Sequence, residues 1–166
     1  MRDTTGVNES ASQRISESAS QRISESSGVD VKYEDWLAGV HERVKAEPIW
    51  KSLMYQKALF LFDLAWEDCG KMMRDTRGRK IAEQLIDSAG SISANMEEGH
   101  GRGFGKERQY FLRVSLGSAR ETKGWYQRGR HLLSADVLNH RLTLLDEVIS
   151  LLVTEIDTQK KHRLSR

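Results

Sequence analysis

Along residues 135–160, Leu138, Leu142, Leu145, Ile149, Leu152 and Ile156 recur at alternating intervals of four and three. Val137, Leu144, Val148 and Leu151 form a second row beside them. A period close to 3.6 with so wide an apolar face predicts one long helix over 135–160. Three more segments repeat the pattern. Over 76–98, Ile81, Leu85, Ala89, Ile92 and Met96 share a face, and Asp75 or Thr76 stands where the helix needs a cap. Over 104–132, Phe104, Phe111, Ser118 and Trp125 recur every seven residues with Val114 beside them, which assigns that row to the buried side. Over 48–73, Trp50, Leu53, Met54, Leu61, Leu64 and Met72 mark a face, yet "ALFLFDLAW" is apolar almost all round. Such a helix must be covered on more than one side. The cover is either a short amphipathic helix predicted over 31–46, carrying Tyr33, Trp36, Leu37, Val40 and Val44, or a second subunit. Pro48, the only proline, suits the first position of a helix. No segment alternates with period two, so no sheet is expected. The expected fold class is all-α: an antiparallel up-and-down four-helix bundle over 48–160, with a short extra N-terminal helix over 30–47.

The ends read differently. Residues 9–24 are two copies of "ESASQRIS". Eight residues turn a helix by about 800°, so no face persists from copy to copy. Ser, Glu, Gln and Arg bury too little to offset chain entropy. Residues 1–29 are therefore expected to be a disordered tail, and 161–166 a short basic one.

Hydrophobic residues make up 38% of the 166-residue chain and charged residues 30%. The longest apolar run, "ALFLF", is far too short for a transmembrane helix. "MRDTTGVNES" has no apolar stretch, so no secretory signal is expected. Cys69 is the only cysteine, which excludes an internal disulfide and a multi-cysteine zinc site, and a cytoplasmic location follows as the default. Its apolar helix and its neighbours Glu67 and Asp68 should raise the thiol pKa rather than activate it.

Charge is uneven. Residues 1–73 carry 9 basic and 12 acidic side chains, whereas 74–166 carry 17 and 12. On the third helix Lys106, Arg113 and Arg120 are spaced by seven and fall within about 40° of one another. Arg102 joins that edge if the helix reaches back to it, and Lys123 and Arg130 continue around the same side. Gly117 and Gly124 lower the surface beside them. A basic face of this kind permits salt-dependent, sequence-independent binding of a polyanion, and it equally fits a solvated helix face.

The segment "SISANMEEGHGRGFGKE" (91–107) holds the remaining candidate chemistry. "GHGRGFG" fits neither G-x-G-x-x-G nor the Walker pattern, and no strand precedes it, so no nucleotide cofactor is expected. A phosphate contact at Lys106, near the start of a helix, remains compatible with the pattern. Glu97 and His100 form one Glu-x-x-His pair, but the second pair of a di-metal bundle is missing, so no metal site is expected. Nor is there a nucleophile elbow. Gly99 or Gly101 suits the left-handed residue that ends a helix. Asn95 is expected to fold the corner back through its amide. Glu98 and Glu97 stand at the unfavourable end of the helix dipole, where Arg102 or Arg113 would offset them.

"SISANMEEGHGR" followed by "FLRVSLGSARE" resembles the four-helix-bundle family of 23S rRNA intervening-sequence proteins. The resemblance covers roughly 48–156 and rests on Ser91, Ile92, Ala94, Asn95, Glu98, Gly99, Gly101, Arg102, Phe111, Leu112, Gly117, Ser118 and Glu121. Met96 and Glu97 depart from it, where the family usually has Ile and Ala. It implies an antiparallel four-helix bundle that assembles as a homo-oligomer, commonly a pentamer, with no known enzymatic activity. A related bundle, the accessory variability protein of diversity-generating retroelements, partners a reverse transcriptase and RNA. The expected function is therefore a non-enzymatic oligomer that binds RNA or DNA through Arg102, Lys106, Arg113, Arg120, Lys123 and Arg130, with no cofactor. The alternative is an adaptor for a protein such as a reverse transcriptase.

Overall fold

The computed structural model describes residues 31–164, so the repeat tail over 1–29 and the last two residues lie outside the described residues. Everything with assigned secondary structure is helical. Two short helices come first, α1 (Tyr33–Gly39) and α2 (Glu42–Lys45), then a 3-10 turn over Pro48–Lys51. Four long helices follow: α3 (Leu53–Met72), α4 (Thr76–Gly101), α5 (Lys106–Gly129) and α6 (Ala135–Leu164). A second 3-10 turn, Arg130–Leu132, precedes α6. No strand occurs among the described residues.

The helices start and stop for local reasons. Asp75 caps α4, its side chain accepting from the backbone N–H of Arg77 at 2.8 Å and of Gly78 at 3.3 Å. Arg77 also grips that carboxylate, and together these bonds hold Asp75 well below the usual carboxylate range. The segment 31–46 is not one helix. His41 takes an extended conformation and accepts from Arg43 N–H through Nδ1 at 3.1 Å, capping α2 and breaking the run at Val40. Pro48 opens the 3-10 turn rather than α3.

Packing is most extensive between α4 and α5, then between α3 and α4 and between α5 and α6, and α3 also meets α6. The core holds Leu61, Met72, Leu85, Ile92, Tyr126, Leu145, Val148 and Leu152, all essentially without exposure. Cross-helix bonds fix the registers. Tyr55 Oη donates to Glu97 at 2.8 Å and Cys69 Sγ to the Ala82 carbonyl at 3.3 Å. Ser115 Oγ donates to the Ile92 carbonyl at 2.9 Å and Thr122 Oγ1 to Ser88 Oγ at 3.1 Å.

The third long helix departs from its hydrophobic pattern. Its buried row is Gln109, Leu112, Ser115, Ala119, Thr122, Tyr126 and Gly129. Phe111, Val114, Ser118 and Trp125 flank that row, half-buried, and Phe104 is 86% exposed in the preceding loop. The inward hydroxyls are tolerated because neighbouring carbonyls and hydroxyls satisfy them, and no buried side-chain donor or acceptor among the described residues lacks a partner.

Helix α1 covers one side of α3. Tyr33 and Trp36 pack on Phe60, with ring centroids 5.4 and 5.3 Å away, and Trp36 Nε1 donates to Asp63 at 2.6 Å. Between that cover and the core face, a strip of α3 stays partly open: Phe62 and Leu59 are half-buried and Trp66 is 64% exposed.

Candidate nucleic-acid interface

The turn between α4 and α5 sets up the basic surface. Helix α4 runs through Gly99 and ends at Gly101 with Arg102 as its C-cap, and neither glycine is left-handed. The left-handed residues are Gly103 (φ 82°) and Gly105 (φ 98°), which bracket Phe104. Gly99 serves a different purpose. A Cβ at that position would sit 3.0 Å from Phe111 Cβ and 3.4 Å from the Arg108 carbonyl, so its bare Cα lets α4 and α5 cross closely. Gly101 has open space around it. Asn95 does not tie the corner down: its Nδ2 donates to the Ser91 carbonyl of its own helix at 2.7 Å. Glu98 takes the partner expected of it, Arg102 Nη2 at 2.6 Å.

The basic side chains divide into two groups. Lys106, Arg113 and Arg120 are exposed, and helical periodicity places them in one row on an outward flank of α5, about 100° or more around the helix from Leu112, Ala119 and Tyr126. Among the described residues none of the three has an ion-pair or hydrogen-bond partner. The row spans about 21 Å at 1.5 Å per residue. The other three are engaged. Arg102 belongs to the end of α4 rather than to the α5 row, and besides binding Glu98 its guanidinium lies 5.9 Å from the Phe111 ring centroid. Lys123 turns toward α6 and pairs with Asp146. Arg130 stands in the 3-10 turn and donates to the Gln127 carbonyl at 3.0 Å.

Aromatic side chains stand among these cations. Tyr110, 63% exposed, lies four residues after Lys106 and three before Arg113, so it shares their row. It packs edge-on against Phe111 at 5.3 Å. Arg108 pairs with Glu155 at 3.4 Å and lies 5.7 Å from the Phe104 ring centroid. Leaving a phenyl ring in water forgoes roughly 1.5–3 kcal/mol of burial. The sequence pattern had placed Phe104 inside. The signal that places it outside is its pair of glycines.

Glu97 accepts from Tyr55, whose hydroxyl pKa is raised by burial and by that carboxylate. A half-open cavity of about 280 Å³ lies beside it, where Tyr55, Met96, His100, Arg108, Leu112 and Glu155 meet. Among the described residues no three His, Cys, Asp or Glu side chains come together as metal ligands do. Cys69 is buried, and burial, with Asp68 adding, pushes its thiol up to about 11.

Sequence reasoning also missed a buried polar network across α3, α5 and α6. Asp68, with no exposed surface, accepts from Arg141 Nε at 2.8 Å and from Tyr126 Oη at 3.0 Å. Burial and Asp68 hold the Tyr126 hydroxyl well above its ordinary pKa. Arg141 Nη1 lies 2.8 Å from His140 Nδ1. This network fixes how three helices meet and leaves the outward row of α5 free.

No curated protein and no solved structure matches the chain. The helices and the corner that carry this surface, however, fall within residues 51–154, well over half of the sequence, which match the family model described as 23S rRNA-intervening sequence protein; the chain belongs to that family.

Proposed function

We propose that this protein is a non-enzymatic, cytoplasmic oligomer that binds RNA or DNA through the outward face of α5. The observation that carries the reading is the row of Lys106, Arg113 and Arg120, three exposed cations in line with no ion-pair partner among the described residues. Neutralising phosphates is the sequence-independent way such a row gains affinity. Arg102, Lys123 and Arg130 flank it and strengthen the local field even though each is already engaged. The family's description ties its members to rRNA insertions, which suits a nucleic-acid partner. No helix among the described residues is long and apolar enough to cross a membrane.

The four long helices form an antiparallel up-and-down bundle in this reading. Along each packed pair the bonded residue numbers rise on one helix as they fall on the other: Tyr55 with Glu97 and Cys69 with Ala82, Lys57 with Glu147 and Asp68 with Arg141. The partly open strip of α3, with Leu59, Phe62 and Trp66, is the surface through which subunits meet, as a pentamer by resemblance to the family. That same apolar strip favours the second reading, an adaptor that holds a protein such as a reverse transcriptase and touches no nucleic acid.

Filter binding of labelled RNA and DNA by the full chain tests the first reading. Wild type binds both, and Arg113→Glu with Arg120→Glu abolishes binding. Tight binding by that double variant refutes it. Light scattering at the mass of one 19.0 kDa chain contradicts the oligomer.

A further inference from the structure

Phosphates account for Lys106, Arg113 and Arg120, but they do not account for Phe104 and Tyr110, the two most exposed aromatic side chains at the start of α5. Phe104 is presented deliberately. Gly103 and Gly105, both left-handed, hold its ring out of the fold, and Arg108 lies over it at 5.7 Å. Tyr110 sits in the basic row itself, steadied edge-on by Phe111, which in turn carries Arg102 at 5.9 Å. Phe104 thus lies beside a cation, and Tyr110 stands in the row between Lys106 and Arg113, an arrangement that suits a base face and a phosphate together.

We infer that the outward face at the start of α5 takes single-stranded nucleic acid, with Phe104 and Tyr110 stacking on bases and Lys106, Arg113 and Arg120 tracking the phosphates. In a duplex the base faces are stacked on one another and closed to these rings, whereas a single strand offers them. The row from Lys106 to Arg120 matches about six nucleotides of a stacked strand at 3.4 Å each, a length within the range of known single-strand platforms. Stacking tolerates any base, so the site needs no sequence preference. This inference rests on the proposed nucleic-acid role of the basic row and adds the form of its ligand.

The test is fluorescence anisotropy of the full-length protein with a labelled oligouridine of about 20 nucleotides and with a duplex of the same length, a span longer than the site. Wild type should bind the single strand at least about tenfold more tightly. Phe104→Ala and Tyr110→Ala should each weaken single-strand binding by roughly 5- to 140-fold, the worth of a base–aromatic stack of about 1–3 kcal/mol. Duplex binding should stay within about twofold, and Phe104→Trp should restore the single-strand affinity. Both rings are exposed, so circular dichroism of the alanine variants should match wild type. Equal affinity for both forms with unaffected alanine variants overturns this inference, while loss of binding in Arg113→Glu with Arg120→Glu keeps the basic-face reading. No binding of either form by wild type overturns both. A changed oligomeric mass in Phe104→Ala with unchanged binding makes the ring a subunit contact and also overturns the inference.

Discussion

Replacing Arg141 by Met removes the cation facing Asp68 while keeping most of the side-chain volume. Its contacts to Asp68 disappear, Nε to Oδ2 at 2.8 Å and Nη2 to Oδ1 at 3.5 Å, and the approach to His140 goes with them. The Asp68 carboxylate is then left with Tyr126 Oη at 3.0 Å as its remaining bond across the core, in a site with no solvent exposure. Breaking a buried pair in this way costs about 3–5 kcal/mol, because the stranded charge has lost both water and partner. For a unit of this size that corresponds to a fall of roughly 10–20 °C in melting temperature. Tyr126→Phe removes one bond to a charged acceptor and should cost about 1.5–3 kcal/mol. Asp68→Leu combined with Arg141→Met removes both charges and should recover most of the loss, since an apolar replacement of a buried pair is often neutral or better. Urea unfolding followed by circular dichroism at one fixed protein concentration reads all four proteins. An Arg141→Met variant within about 1 kcal/mol of wild type would refute the reasoning, as would a double variant no more stable than the single one.

Two glycines of the family signature should behave in opposite ways. Gly99→Ala pushes a methyl against Phe111 and the Arg108 carbonyl, and thermal unfolding should show a loss of about 1–3 kcal/mol. Gly101→Ala meets open space in a helical residue and should gain about 0.4–1 kcal/mol. Cys69 should resist an aromatic disulfide reagent at pH 8 until the protein unfolds, because the thiol is buried and its pKa is about 11. The unfolded thiol ionises near its ordinary value of 9.0, so the folded chain holds the extra proton and stability should fall as pH rises from 9 toward 11. A labelling rate equal to that of the denatured chain contradicts the burial.

Helix α6 was legible because its inward residues, Leu144, Leu145, Val148, Leu152 and Ile156, are aliphatic and periodic, and α4 was legible for the same reason. The inward face of α5 was not, because Gln109, Ser115 and Thr122 read as polar. Their burial depends on acceptors supplied by Ile156, Ile92 and Ser88 on other helices, which no single-helix pattern reveals. The sequence marks the corner but not what each of its glycines does. Left-handed geometry falls at Gly103 and Gly105, and Gly99 is required by a neighbour 12 residues further on, Phe111. Of the six basic residues, spacing alone identified the row of three. The engagement of Lys123 with Asp146 and of Arg102 with Glu98 depends on where acids land in three dimensions. Asp68 and Arg141 are 73 residues apart, and nothing local to either marks them as a pair.

The central claim is that Lys106, Arg113 and Arg120 neutralise phosphates. The most direct measurement is the slope of log affinity against log salt for a single strand, in wild type and in the variant with Lys106→Gln, Arg113→Gln and Arg120→Gln. Each phosphate contact contributes about −0.7 for a single strand, so the triple variant should bind more weakly with a slope shallower by about 2 per subunit engaged. An unchanged affinity and slope in the triple variant would contradict the account.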